Sequence, residues 1–396
     1  MIHPCIVAQI EFPAMAEPLV PPAEPSPASA FATTGTGHAA PGAAAAGAAA
    51  GASHAGARSD PAQAAPLRGD AVLRLCDHGL WFVSGADAAS FLQAQLTAEV
   101  VQLGSADWRL AGYCSARGRL VAIAEIHRVD DGFLLLLERS RGTDLMARLR
   151  RFVLRAKVTF AEADAQWRVL GLLGEGAQAR LGSTGLDLPG SDAPVAVSPD
   201  GSRVVRLPGA PALPRWLVLR PAAAAELPQL EGAAQEDPAA WTWGRIQAAI
   251  PLIHEGTVER FVPQSLNLEC LDGVSFRKGC YPGQEVVARS QYLGKLRRRM
   301  ALAHSPAAVV GEDIYAEGRE EPVGRVVLAA PVPGGAKGQE HGGVTDLAPG
   351  DTQGGWDLLL ECPADLPGST QLRAGSPQAP ALDMRPLPYP IFDPTA

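Results

Sequence analysis

Lys278-Gly279-Cys280-Tyr281-Pro282-Gly283-Gln284-Glu285 is the most unusual stretch of this 396-residue sequence. Pro282 fits the first turn of a helix, and Glu285 suits the same turn electrostatically. Val286, Val287 and Tyr292 would continue that helix. Cys280 then falls just before a helix N-terminus, two residues after Lys278. Free backbone N–H groups, the helix dipole and a nearby ammonium all favour thiolate over thiol. Gly279 and Gly283 leave the backbone open to a ligand. The residues alone fit two readings. One is a reactive or ligand-contacting thiol; the other is a small buried residue in a tight strand–helix turn.

Just downstream, Lys295-Leu296-Arg297-Arg298-Arg299 is a basic cluster. In a strand, Lys295, Arg297 and Arg299 share one face. That face suits an anionic ligand or a phosphate backbone. It equally suits a solvated strand edge kept from aggregating by charge. Upstream, the pattern predicts a helix over 239–250, with Trp243, Ile246 and Ile250 on one apolar stripe and Pro251 ending it. Trp241 lies off that stripe. It is free either to stack on a flat heterocycle in a cavity or to pack as a partly buried residue. Cys76, Cys114, Cys270 and Cys362 lie in or beside apolar strand-like segments, and Cys5 lies in the N-terminal tail. The six cysteines include no CxxC pair. A disulfide framework, a structural zinc site and a stably held iron–sulfur cluster are therefore not expected, and no metal ligands are assigned.

Further out, the periodicity predicts helices over 87–100 and 142–152. It predicts strands over 71–75, 80–83, 108–114, 120–129, 133–138, 157–160, 167–173, 204–207 and 216–219. From about residue 300 the character shifts to short strands with Gly and Pro turns, over 301–304, 313–316, 324–330 and 356–361. Those strands suggest a small β-barrel or sandwich. Strands and helices are mixed rather than alternating, which indicates an α+β fold.

Three divisions follow. Residues 1–66 contain 22 Ala, 10 Pro and 6 Gly and read as a disordered extension. Residues 67–299 read as an α+β region of two subdomains divided near 160. Residues 300–396 read as a β-rich domain with a flexible loop at 331–355. With 47% apolar and 19% charged residues the chain can build a sizeable core. The net charge of −8 argues against a globally basic nucleic-acid binder and leaves a local basic strip open. Without an export signal or an apolar run of membrane-spanning length, the expected location is the cytoplasm.

The Lys278–Glu285 segment resembles the signature of the YgfZ family, folate-binding proteins linked to iron–sulfur cluster maintenance. Other segments agree. Phe91-Leu92-Gln93-Ala94-Gln95-Leu96-Thr97 resembles the family's first helix, and Gly112-Tyr113-Cys114-Ser115-Ala116-Arg117-Gly118-Arg119-Leu120 its following hairpin. Arg245–Pro251 and Phe261–Glu269 lead into the signature as in the family, and Pro386-Leu387-Pro388-Tyr389 resembles its tail. The family is similar in fold to the aminomethyltransferase (T-protein) of the glycine cleavage system. The resemblance therefore implies a ring-like α+β arrangement around a folate cavity, with a C-terminal β-barrel.

The resemblance also implies a functional role for Cys280, with Lys278 setting its electrostatics. It implies folate contact at Trp241, and places Tyr281, Gln284, Glu285 and Arg289 around the ligand. His78 stands where a relative carries a second folate-contacting tryptophan. The aminomethyltransferase's acidic residues are missing after the glycine turn, since Arg117-Gly118-Arg119-Leu120-Val121 has none. The implied function is binding of tetrahydrofolate or a one-carbon derivative, in support of iron–sulfur cluster assembly or repair in client enzymes. Neither membrane nor direct nucleic-acid contact is expected. The alternatives are a folate-dependent one-carbon transferase and an RNA-interaction module built on 295–299.

Overall fold

The computed structural model describes residues 71–292, 296–333, 354–366 and 370–391. The expected disordered extension, Lys295 and most of the expected loop at 331–355 lie outside the described residues.

The described chain builds three antiparallel sheets. The first runs in the order Ala71–Arg74, Trp167–Leu173, Leu213–Pro221, Arg203–Ala210, Val195–Val197. The second runs Trp108–Cys114, Leu120–Val129, Gly132–Glu138, His78–Ser84, Thr159–Glu162. The third runs Leu372–Ala374, Asp313–Ala316, Gly324–Pro331, Trp356–Pro363, Arg298–Ser305, Asp383–Arg385.

The central strands of the second sheet, Leu120–Val129 and Gly132–Glu138, read as nearly unbroken apolar runs because both faces are buried. Ala122, Ala124 and Ile126 pack outward with Phe133, Leu135 and Leu137, against residues of the helices Ala88–Gln93 and Arg139–Arg150. Ile123, Leu134 and Leu136 face inward, where the three sheets share one core. Leu73 and Leu217 of the first sheet and Met300 and Leu359 of the third join that core.

The helix Pro238–Gln247 runs through the shared core. Pro238 opens it, and the Asp237 carboxylate accepts from the Ala240 backbone N–H at 3.0 Å. Trp241 and Trp243 are both buried. A buried tryptophan removes roughly 150–250 Å² from water, a gross stabilisation of about 4–6 kcal/mol. The Trp243 indole N–H also donates to Asp357 at 2.8 Å, which ties the helix to the third sheet.

Two expectations shift. The helix expected over 87–100 ends at Gln93. The Gln93 side-chain oxygen accepts from the backbone N–H groups of Val100 and Val101, and Leu96 bridges to Tyr113. The apolar residues that extend the helical pattern thus belong to a turn closed by a side chain. The helix expected from residue 142 begins at Arg139, because Glu138 accepts from the N–H groups of Ser140 and Arg141. In the third sheet the edge strands approach one another: Arg373 bridges Ala381, and the Leu382 N–H donates to the Leu372 carbonyl at 2.7 Å. The sheet curls toward the expected barrel.

Candidate functional site

The Cys280 turn sits against the hairpin turn at 115–118. A Cβ on Gly283 would lie 2.4 Å from the Ser115 carbonyl oxygen, and one on Gly118 would lie 2.8 Å from Val286 Cβ. Both glycines have positive φ, +77° and +69°. Only glycine permits this close approach in that conformation. The helix itself begins at Gln284, so Cys280 stands four residues before it rather than directly at its end. The Cys280 thiol is exposed.

Lys278 turns away from solvent. Its ammonium donates to the carbonyl oxygens of Leu96 at 2.6 Å and Ala98 at 2.8 Å, and lies 5.4 Å from the centre of the Tyr281 ring. Burial pushes the Lys278 pKa down to about 8. Lys278 is thus a strut that pins the turn to residues 96–98. Tyr281 is buried, and burial pushes its phenol up. Gln284 is half-buried, while Glu285 and Arg289 are exposed one helical turn apart.

The basic cluster does not present one open face. Arg299 is buried, pairs with Glu269 and donates to the Gln264 carbonyl. Arg298 pairs with Glu361 at 2.7 Å. Arg297 precedes the strand and is exposed.

Trp241 lies in a different place. Only 1% of its surface is exposed. The Arg215 guanidinium covers its ring at 4.6 Å, and the Gly171 backbone backs its edge. The expected open indole face is therefore filled, because the helix is embedded in the shared core and both of its sides are buried. Among the described residues, no hydrogen bond, ion pair or ring contact joins Trp241 to the Lys278–Arg289 segment.

Around Trp241 the core turns polar. Arg245 and Glu125 form a buried ion pair at 2.5 Å. Burial alone would raise the Glu125 carboxyl, but Arg245, His127 and Arg215 together hold it below the usual range. Burial pushes the Arg215 pKa down to about 9, with Arg245 adding to the effect. His127 stacks on Trp108, and burial pushes its pKa down to about 4. Buried polar atoms are normally hydrogen-bonded. Here Glu125 Oε2, Arg215 Nε and Nη2, Arg245 Nε, Trp241 Nε1 and both His127 ring nitrogens have no partner among the described residues.

A cleft of about 150 Å³ opens among the neighbouring strands without including these residues in its lining. Its lining includes Leu136, the cross-strand neighbour of Glu125, and Val169, on the same strand face as Gly171. Cys76, His78 and Trp167 line its mouth. His78 is buried, its Nδ1 lies 2.7 Å from Asp77, and its Nε2 has no partner. Cys76 is exposed in a turn rather than packed beside a strand. Burial pushes the thiols of Cys114 and Cys362 up to about 12 and about 11, which makes them inert. The sequence reading passed over Glu125, His127 and Arg215. Their signal was present, as charged or polar residues interrupting otherwise apolar strands.

Among the described residues, no group of three or more His, Cys, Asp or Glu side chains is placed to hold a metal ion. No described helix is long and apolar enough to cross a membrane.

Comparison with known proteins places this architecture. No family model matches the chain. A protein of Edwardsiella ictaluri named tRNA-modifying protein YgfZ is 34% identical over 311 residues, covering 78% of this chain and 88% of the relative. A Sodalis glossinidius protein of the same name is 32% identical over 342 residues, covering 84% of this chain and 95% of the relative. The crystal structure of the glycine cleavage system aminomethyltransferase T from Bartonella henselae superposes with a TM-score of 0.58 at 15% identity, covering 81% of this chain and 86% of that one. That likeness establishes the aminomethyltransferase fold. With most of two relatives' length matched above 30% identity, the chain belongs to the YgfZ family.

Proposed function

We propose that the chain binds tetrahydrofolate or a one-carbon derivative and supports the assembly or repair of iron–sulfur clusters in client enzymes, with Cys280 as its exposed functional thiol. The observation that carries the folate half is the partnerless polar cluster inside an apolar core. A pterin edge carries N–H donors beside a carbonyl acceptor. Glu125 Oε2 supplies an acceptor, and Arg215 Nε and Nη2 with Trp241 Nε1 supply donors, atoms that have no protein partner among the described residues. A cluster that costs stability while unpaired gains it back when a ligand completes its hydrogen bonds. The residues present therefore fit the group. Trp241 would contact the bound ring once the Arg215 guanidinium shifts from its face, and His78 and Trp167 would flank the path inward. When bound, folate supplies the carrier of a one-carbon unit.

Cys280 and Lys278 contribute differently. Lys278 holds the turn, and Cys280 offers its sulfur to a protein or cluster outside the fold. Tyr281 anchors the turn from below, while Gln284, Glu285 and Arg289 lie on the solvent side of the same helix, available to a client surface. The relatives are named for tRNA modification. For this chain that role is read as indirect, through client enzymes in the cytoplasm that depend on clusters.

Titrating tetrahydrofolate into the full chain while following tryptophan fluorescence tests the binding half. Saturable quenching should appear in the parent protein and in Cys280→Ala. It should weaken by at least tenfold in Glu125→Gln and in Trp241→Phe. Equal affinity in all four proteins would place folate elsewhere or nowhere.

A further inference from the structure

A second concavity lies apart from the Trp241 cluster. This groove of about 500 Å³ runs between the hairpin end at Arg119, one face of the helix Gln284–Tyr292 and the start of the strand Arg298–Ser305. Its lining carries Arg119, Arg289, Arg297 and Arg298 against a single carboxylate, Glu361. Arg298 already pairs with Glu361. Arg289 and Arg297 are exposed and their side chains have no hydrogen-bond or ion-pair partner among the described residues, and Arg119 spends one N–H on the Arg260 carbonyl. Three guanidiniums without a carboxylate thus converge on one groove of a chain whose net charge is −8. They sit on three separate elements, so a single small anion would leave part of the charge unanswered, whereas a chain of anions would meet all of it.

The remaining lining narrows the class. Val262, Val286 and Leu296 give the groove an apolar component. Ser265 and Ser290 spend their hydroxyl protons on the carbonyls of Val262 and Val286. Their oxygens can therefore only accept from a ligand. A ligand that combines spaced anions with hydroxyl donors between them is a ribonucleotide chain. An acidic peptide supplies the anions without a hydroxyl donor beside each one. We propose that this groove binds single-stranded RNA, with phosphates on Arg119, Arg289 and Arg297 and ribose or base donors on the two serines. The assignment is independent of folate binding, and it adds a direct RNA contact to the indirect, client-mediated role proposed above.

Fluorescence anisotropy of a labelled, unstructured 12-nucleotide RNA with the full chain tests it. Saturable binding is expected at 50 mM salt. Three phosphate contacts predict a slope of log K against log salt near about −2, so affinity should fall roughly 15- to 20-fold between 50 and 200 mM. Arg289→Ala/Arg297→Ala should weaken binding more than tenfold and bring the slope near about −0.7, with an unchanged thermal midpoint because neither side chain has a partner to lose. Arg151→Ala, an exposed arginine outside the groove, should bind like the parent. DNA of the same sequence should bind several-fold more weakly. Absence of saturable RNA binding, or undiminished binding by the double variant, would overturn the proposal. Equally tight binding of a poly-glutamate peptide would also overturn it and would make the groove a docking site for an acidic protein segment.

Discussion

Glu125 and Arg245 meet at 2.5 Å across the boundary between the second sheet and the central helix, with their side chains 5% and 2% exposed. Two charges removed from water are costly unless they hold each other. Removing one leaves the other stranded. Glu125→Ala should therefore destabilise the protein by about 3–5 kcal/mol in urea unfolding. Glu125→Leu/Arg245→Met, which replaces both charges by apolar groups, should cost clearly less than Glu125→Ala. A single substitution costing under about 1 kcal/mol would show that the pair is hydrated in solution.

The same cluster predicts an acid-sensitive fold. His127 has an ordinary pKa of 6.5 and a folded value of about 4. Between those values the unfolded chain takes up a proton that the folded chain refuses. The stability contributed by neutral His127 is thus fully present above about pH 6.5 and is lost as pH falls toward 4. Glu125, held low in the folded state, acts with the same sign. Between pH 7 and pH 5 the His127 share amounts to about 2 kcal/mol. His127→Phe keeps a ring against Trp108 without a titrating group. Its urea midpoint should fall less between pH 7 and pH 5 than the parent's, and an equal fall in both would refute the assignment.

Lys278 gives the opposite limb. Its ammonium is held between two carbonyls and its folded pKa is about 8, against an ordinary 10.5. Above pH 8 the unfolded chain retains more protons than the folded one, so this contribution to stability rises as pH increases toward 10.5. Lys278→Met should remove that rise and cost about 1–3 kcal/mol at neutral pH, by leaving the carbonyls of Leu96 and Ala98 unpaired. It should change the rate of Cys280 alkylation by less than about threefold, because the ammonium is engaged by two backbone carbonyls. A tenfold drop in alkylation rate would make Lys278 the electrostatic partner of the thiol after all.

Among the described cysteines, Cys76 and Cys280 are exposed, while Cys114 and Cys362 are buried with raised thiol pKa values. Brief treatment with iodoacetamide followed by peptide mapping should label Cys76 and Cys280 in the folded protein. Cys114 and Cys362 should react only after unfolding. Labelling of Cys114 at the rate of Cys280 would mean that the second sheet opens readily.

The strands over 167–173 and 313–316 follow directly from apolar runs bounded by turn residues, and both have the expected limits. Long periodic strands are legible because alternation survives any tertiary context. The end of the first helix was not legible, because the Gln93 side-chain oxygen caps the turn at Val100 and Val101, and the apolar spacing that continues past Gln93 fits a helix just as well. The Cys280 turn was legible as a special segment from its glycines and proline. The direction of Lys278 was not, since its partners lie about 180 residues away. The polar cluster around Trp241 was half-legible. Glu125, His127 and Arg215 interrupt apolar strands, yet only the sheet register turns those three interruptions toward one helix.

Gly279 and Gly283 looked equivalent in the sequence, and the structure separates them. Gly283 has φ of +77° and the Ser115 carbonyl 2.4 Å from its absent Cβ, whereas nothing lies within 4 Å of a Cβ on Gly279. Gly283→Ala meets backbone in a conformation that L-residues avoid, and should cost about 1–3 kcal/mol. It should also raise proteolysis near Cys280, because the turn loses its seat on residues 115–118. Gly279→Ala should be neutral within about 0.5 kcal/mol. The informative measurement is cluster-dependent activity of client enzymes in cells carrying Gly279→Ala. With stability intact, full activity means that Gly279 only spaces Lys278 from Cys280. Lost activity means that a client or ligand approaches the backbone there, where even a methyl group is in the way.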